Sequence, residues 1–210
     1  MSGCSKLRFL SALCLALLGA CRTRPQPPPA TNYYYLNPDK ELATIGRAVI
    51  VGLENESDYP QIADQFTKAL FESVQKQQFF GLTLISRDDP QWRSLMLKSD
   101  AQFSLEQMFA VRKCLGADAI LSGTITTYRP YPNMAVGLRL RLLDLRDGQL
   151  LWALEQIWDT TDKTTEARIK KYFKDVIRAD FEPLREKLVI LSSIRFTDFV
   201  AYETARTLIQ

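Results

Sequence analysis

Few side chains in this sequence are placed to do chemistry, and the first of them is the thiol of Cys21. It follows Leu18-Gly19-Ala20 at the end of an apolar stretch from Phe9 to Ala20, with Lys6 and Arg8 upstream. Such a stretch is too short to span a bilayer but suits the central region of a secretory signal. Small residues just before a cysteine have the form of a bacterial lipobox, where a peptidase cuts and the thiol is acylated. A plain secretory signal with a chance cysteine, or a buried N-terminal helix, is the alternative. The lipobox reading makes residues 1–20 a removed signal peptide, and anchors the chain to an envelope membrane through acyl chains on Cys21.

The other reactive groups are weaker candidates. Cys4 and Cys14 leave with the signal, so only Cys114 remains and no intramolecular disulfide is available. Arg112 and Lys113 beside Cys114 favour its thiolate, although a small buried core residue is the plainer expectation. Asp88, Asp89 and Asp100 lack the fixed spacing of a calcium loop and read as a solvated turn. Ser73 and Lys76 stand outside any nucleophile-elbow context. The chain contains no histidine, which removes the commonest general base and the commonest zinc ligand. We therefore expect no catalytic residue, no metal and no cofactor, and an envelope hydrolase is the least supported activity.

Loss of Lys6 and Arg8 takes the net charge from +3 to +1. A nearly neutral chain does not fit a nucleic-acid partner, whose phosphates require a concentrated basic face. About 190 of the 210 residues remain, enough for one domain with its own core. Residues 22–38 hold five prolines and no apolar periodicity, and residues 21–46 read as a lipidated, semi-rigid tether. The run Tyr33-Tyr34-Tyr35 is either a binding element, for carbohydrate or a partner groove, or the first edge of the domain.

The elements that would position these groups follow from periodicity. Ala48–Leu53 is a short β-branched run, hence a buried strand. Ile62, Phe66, Ala69, Leu70 and Val74 recur at helical spacing over roughly 60–77, with Pro60 in the first turn, Ser57 or Asp58 near the cap and Gly81 as the stop. A strand follows at 82–86, and 91–103 is ambiguous. Ser104 and Gln107 form a capping-box pattern opening a helix to Leu115, which Gly116 ends. Strands follow at 118–128, 134–145 and 150–158, the last two joined by an Asp-Gly turn. Helices are expected at 163–178, 181–190 and 195–208. Trp152 and Trp158 share a strand face and belong to the core.

Two segments carry a resemblance. Gly116-Ala117-Asp118-Ala119-Ile120-Leu121-Ser122-Gly123-Thr124-Ile125 resembles the "GADAIVxGxI" signature of the curli-secretion (CsgG-like) lipoprotein family. The same signature marks its relatives of the LpoB and FlgO types and the TolB amino-terminal domain. Val136 to Trp152 is similar to the hairpin that follows it in that group. The resemblance covers about 47–158 and implies an α+β fold, with a mixed, mostly antiparallel sheet of four to five strands and helices mainly on one face. It also implies an envelope location, and it implies no shared reaction. Residue by residue, Gly116, Gly123, Asp118, Asp144 and Asp147-Gly148 have sufficient structural roles in turns and strand entries.

Curli-type channels insert long amphipathic hairpins into the membrane. Here only Arg129-Pro130-Tyr131-Pro132-Asn133 joins the corresponding strands, too short for such a hairpin. The expectation is thus a domain at 47–160, with C-terminal helices at 161–210 packed on it, that binds another envelope protein or itself. Arg129, Tyr131 and Tyr128 are the candidate partner-binding residues. The alternative is a subunit of an oligomeric secretion ring. Arg22 after Cys21, where an inner-membrane retention aspartate would stand, favours the outer membrane, facing the periplasm.

Overall fold

A computed structural model describes residues 33–96, 104–177 and 192–208. Cys21, the proline-rich segment, Asp100 and the helix expected at 181–190 lie outside the described residues.

The sheet is built on β2 (Arg47–Val51), whose residues alternate between two apolar clusters. Ala48 and Ile50 enter one and Val49 and Val51 the other, so both faces of this strand are buried, as parallel strands require. Its neighbours β4 (Gly81–Ile85) and β5 (Ala119–Arg129) are both parallel to it, on opposite sides. Right-handed crossovers running in opposite directions place their helices on opposite faces. Accordingly α1 (Ile62–Gln75) packs Phe66, Leu70 and Val74 on the front face. Helices α2 (Pro90–Met96) and α3 (Leu105–Leu115) put Trp92, Met108 and Val111 on the back.

From β5 the chain turns into an antiparallel meander through β6 (Ala135–Asp144) and β7 (Leu150–Asp159). The edge strand β1 (Tyr34–Leu36) pairs antiparallel with β7, and the two-residue β3 (Glu54–Asn55) pairs with β5. The order is β1-β7-β6-β5-β2-β4, an open α+β sheet of seven strands that is mostly antiparallel by length. Front-face residues Val136, Leu138, Leu140, Leu142, Trp152, Leu154 and Trp158 form the main core with α4 (Lys163–Tyr172) and α5 (Ser193–Arg206). Trp152 Nε1 donates to Thr207 Oγ1 at 3.0 Å, which satisfies the indole and pins the C-terminal end of α5 to β7.

Several local expectations hold for the stated reasons. In α3 both capping-box bonds form, Gln107 N–H to Ser104 Oγ (3.2 Å) and Ser104 N–H to Gln107 Oε1 (2.9 Å). Gly116 ends the helix at φ 59°, where a side chain would be strained. Others need correction. Neither Ser57 nor Asp58 caps α1; Asn55 organises that turn, accepting from Ser57 N–H and donating to Tyr59 O. Gly81 begins β4, while Gln78, at φ 57°, makes the turn after α1. Cys114 is exposed, because the buried stripe of α3 runs through Met108 and Val111. Helix α4 ends at Tyr172 and passes into a single π-turn, Phe173–Ile177. The tyrosine run forms the edge of the sheet, since Tyr34 and Leu36 pack on the front core. Among the described residues no helix is long and apolar enough to cross a membrane.

Candidate interaction surface

The residues able to do chemistry are dispersed. Asp89 Oδ1 accepts from Gln91 N–H at 2.8 Å, and Asp88 pairs with Arg93, so these carboxylates shape the entry to α2. Among the described residues no group of three histidine, cysteine or carboxylate side chains is placed to hold a metal ion. What the fold gathers instead is aromatic and charged surface, in two places.

The first is the end of the sheet where β5 turns into β6. Arg129, the last residue of β5, points its guanidinium back across that turn. Its Nε donates to Asn133 O and its Nη2 to Asp159 Oδ2, both at 2.7 Å. Burial pushes the Asp159 carboxyl up, but bonds from the Thr161 hydroxyl and N–H and the Arg129 charge outweigh it and hold it below the usual range. The five-residue turn is thereby clamped at both ends, and Tyr131 stands at its apex 78% exposed. Tyr128 lies half-buried on the front side, its ring edge-on to Tyr59 with centroids 5.3 Å apart. Arg129, Tyr131 and Tyr128 thus lie at one end of the molecule, with Arg129 as clamp, Tyr131 as the presented ring and Tyr128 as a buttress. Tyr59 joins them from the loop before α1. It was not singled out in the sequence because only the β2–α1 crossover brings it there.

The second place is the back face of β6, β7 and β1. Helices α2 and α3 cover the parallel half of that face, and among the described residues no helix covers the antiparallel half. A depression of about 720 Å³ lies there, lined by Tyr33, Tyr35, Arg139, Arg141, Leu143 and Glu155 among others. Arg139 Nε and Nη2 both donate to Glu155 Oε1, at 3.0 and 2.8 Å, across β6 and β7. Alternation with buried leucines places Arg139 and Arg141 on the face opposite the main core, whereas which helices cover that face depends on the crossovers.

A scan of protein-family models and a search of curated proteins both give no match. Among solved structures the chain is similar to the PelC dodecamer from Paraburkholderia phytofirmans, at 12% identity over 64% of this chain and 85% of that chain, TM-score 0.44. It is also similar to lipoprotein GNA1162 from Neisseria meningitidis, at 14% identity over 65% of this chain and 99% of that chain, TM-score 0.41. For the LpoB C-terminal domain from Escherichia coli the identity is 18% over 54% of this chain and 83% of that chain, TM-score 0.38. Likenesses at these identities and scores carry no argument about function.

Proposed function

We propose that this chain is an envelope lipoprotein, anchored through acylated Cys21, whose α+β domain is a non-enzymatic adaptor for another envelope protein. The lipobox pattern supports the anchor, and Arg22 supports sorting to the outer membrane, facing the periplasm. The observation that carries the adaptor reading is the clamped turn at Arg129–Asn133. Arg129's bonds to Asn133 O and Asp159 restrain the turn, so the exposed ring of Tyr131 is presented on a backbone that has already lost freedom a binding segment must give up.

The test uses the full-length protein in cells, with a photo-crosslinking residue at position 131 or, as control, at the exposed Glu106. A discrete protein adduct at 131, absent at 106 and lost in Tyr59→Ala, is expected. Equal adducts at both positions, or none at 131, overturn the adaptor reading. Labelled palmitate incorporation, compared with Cys21→Ala, tests the anchor separately.

A second reading, a subunit of an oligomeric export ring, is favoured by the outer edge of β4, which no other strand pairs among the described residues. In a parallel ladder with β2, Gly81, Thr83 and Ile85 bond inward, so the backbone groups of Leu82 and Leu84 face outward. The size of the detergent-solubilised chain decides it: a closed ring supports this reading and a monomer overturns it.

A further inference from the structure

Strand β4 ends the sheet with an edge that carries none of the usual devices against pairing. From Gly81 to Ile85 it holds no charge and no proline, and its ladder with β2 runs without a bulge. Its outward-bonding residues are Leu82 and Leu84, with Thr83 between them. Leu82 packs on the front core, so Leu84 shares that face by alternation and Thr83 lies on the back. Leu84 is 40% exposed, and Thr83 is exposed as well. The opposite edge of the sheet differs: β1 is three residues long, and Pro38 stands two residues beyond its end.

We infer that β4 pairs with β4 of a second copy of this chain, antiparallel about a two-fold axis through Thr83. Leu82-Thr83-Leu84 reads the same from either end, as a two-fold strand pair requires. With Thr83 opposite Thr83 of the second copy, each Leu82 faces a Leu84. Those are the residues whose N–H and C=O groups point outward, so each facing pair exchanges two hydrogen bonds. On the front, leucines of opposite copies come side by side and Leu84 leaves water. On the back, the two Thr83 side chains meet at a non-hydrogen-bonded position, where side chains lie closest. Centred there, all five residues of each strand are paired, and moving the centre by one residue leaves two of the five without a partner. Any strand could take the outward hydrogen bonds; the mirrored order of side chains favours a copy of the same strand. Five residues make a small interface, so the inference rests on the proposed anchor: copies held on one membrane meet at a raised effective concentration. The pairing occupies the edge that a head-to-tail ring would use, and so excludes the ring.

The test is disulfide trapping in membranes of cells making the full-length protein with Cys114→Ser, which removes an exposed thiol. On mild oxidation Thr83→Cys is expected to give a disulfide-linked dimer, because a non-hydrogen-bonded pair has the Cα separation that a disulfide needs. Leu84→Cys, which would face Leu82 rather than itself, is expected to lose that product. Leu84→Lys on the Thr83→Cys chain puts a charge on the edge and is expected to abolish the dimer. Protease resistance shows that each variant is folded, and Leu84→Cys carries the test of register should Leu84→Lys unfold. Tyr131→Ala is expected to trap normally, which separates this inference from the adaptor reading. Labelled palmitate on the same samples reports the anchor independently. Acylated protein without the dimer leaves the anchor standing and overturns the pairing; a dimer without label upholds the pairing and removes the anchor. Absence of the dimer from Thr83→Cys overturns the inference whether or not palmitate is incorporated. Equal trapping from Leu84→Cys, or a dimer that survives in folded Leu84→Lys, overturns it too.

Discussion

Lys40 Nζ donates to the fully buried carboxylate of Asp144 at 2.9 Å, joining positions 104 residues apart. Arg146 fixes the same carboxylate from the other side, through Nε, Nη2 and its own backbone N–H, and Lys40 also reaches Asp147. The cluster ties the segment after β1 to the turn between β6 and β7. Asn37 adds to it by donating through Nδ2 to Leu150 O at 2.9 Å. Removing the acid leaves Arg146 and Lys40 facing a polar void under the turn. Asp144→Ala should cost about 3 kcal/mol, and Lys40→Met clearly less, because Arg146 remains. Urea unfolding of the two variants checks both, and equal losses would mean that Lys40 is the main partner.

The same carboxylate sets the acid limit. Burial pushes the Asp144 pKa up, but the bonds from Arg146 and Lys40 overcome it and hold it far below the usual range. Asp162 is depressed too, by the hydroxyls and N–H groups of Thr164 and Thr165 at the start of α4. With a folded-state pKa below the unfolded one, the unfolded chain binds more protons. The resulting stability is complete above about pH 4 and lost as pH falls further, towards the depressed value. Unfolding free energy measured from pH 6 to pH 2 should fall less steeply in Asp144→Asn than in the native chain.

Glu203 has the opposite sign. It is buried on α5, 3.2 Å from Arg168 Nε on α4 and 3.5 Å from Trp158 Nε1 on β7. Burial raises its pKa, and Arg168 and Trp158 offset only part of that. Its protonated form favours folding, so its contribution is full below the unfolded value of about 4.3 and is lost as pH rises through the raised value. Glu203→Gln should flatten the stability profile over that window. An unchanged slope there would show that Arg168 keeps the carboxylate ionised.

Gly123 shows why a sequence signature need not mark a reaction. A Cβ there would sit 2.2 Å from Arg139 O and 2.8 Å from Leu140 Cα, both on the neighbouring strand β6. Backbone atoms cannot yield as a side-chain tip can, so Gly123→Ala must part β5 from β6 in the middle of the meander. We expect a loss of about 4 kcal/mol or failure to fold. Gly116→Ala, which has space but a positive φ, should cost about 1 kcal/mol. Thermal melts of the two variants distinguish crowding from backbone strain.

The long elements were legible because each carries its own period. β6 alternates leucine with arginine, and α3 carries its capping box and terminal glycine within thirteen residues. What was not legible depends on pairing across the chain. β1 and β3 are too short to show a period and exist only because β7 and β5 offer them an edge. The cap of α1 was misplaced because Asn55, rather than Ser57 or Asp58, bonds the turn. The surface was half legible: the clamped turn lies within one hairpin, so Arg129 and Tyr131 could be found together. Tyr33 and Tyr35 line up with Arg139 and Arg141 only because β1, β7 and β6 are in register, which is a property of the sheet alone.

The clamped turn gives the last prediction, because clamp and presented ring can be separated. Tyr131 makes no bond that the fold depends on, so Tyr131→Ala should leave stability within about 0.5 kcal/mol. It should nonetheless abolish binding of the purified partner in surface capture, while Tyr131→Phe keeps the ring and much of the binding. Arg129→Ala loses the bonds to Asn133 O and Asp159 and should cost about 1 kcal/mol. It should also weaken the partner without altering any group the partner touches, because the freed turn must be ordered again on binding. Its signature is therefore a slower association in surface capture of the purified partner, with the adduct from a photo-crosslinking residue at position 131 still formed. If Arg129→Ala binds at the native rate, the clamp serves the fold alone and the anchor lies elsewhere on the domain.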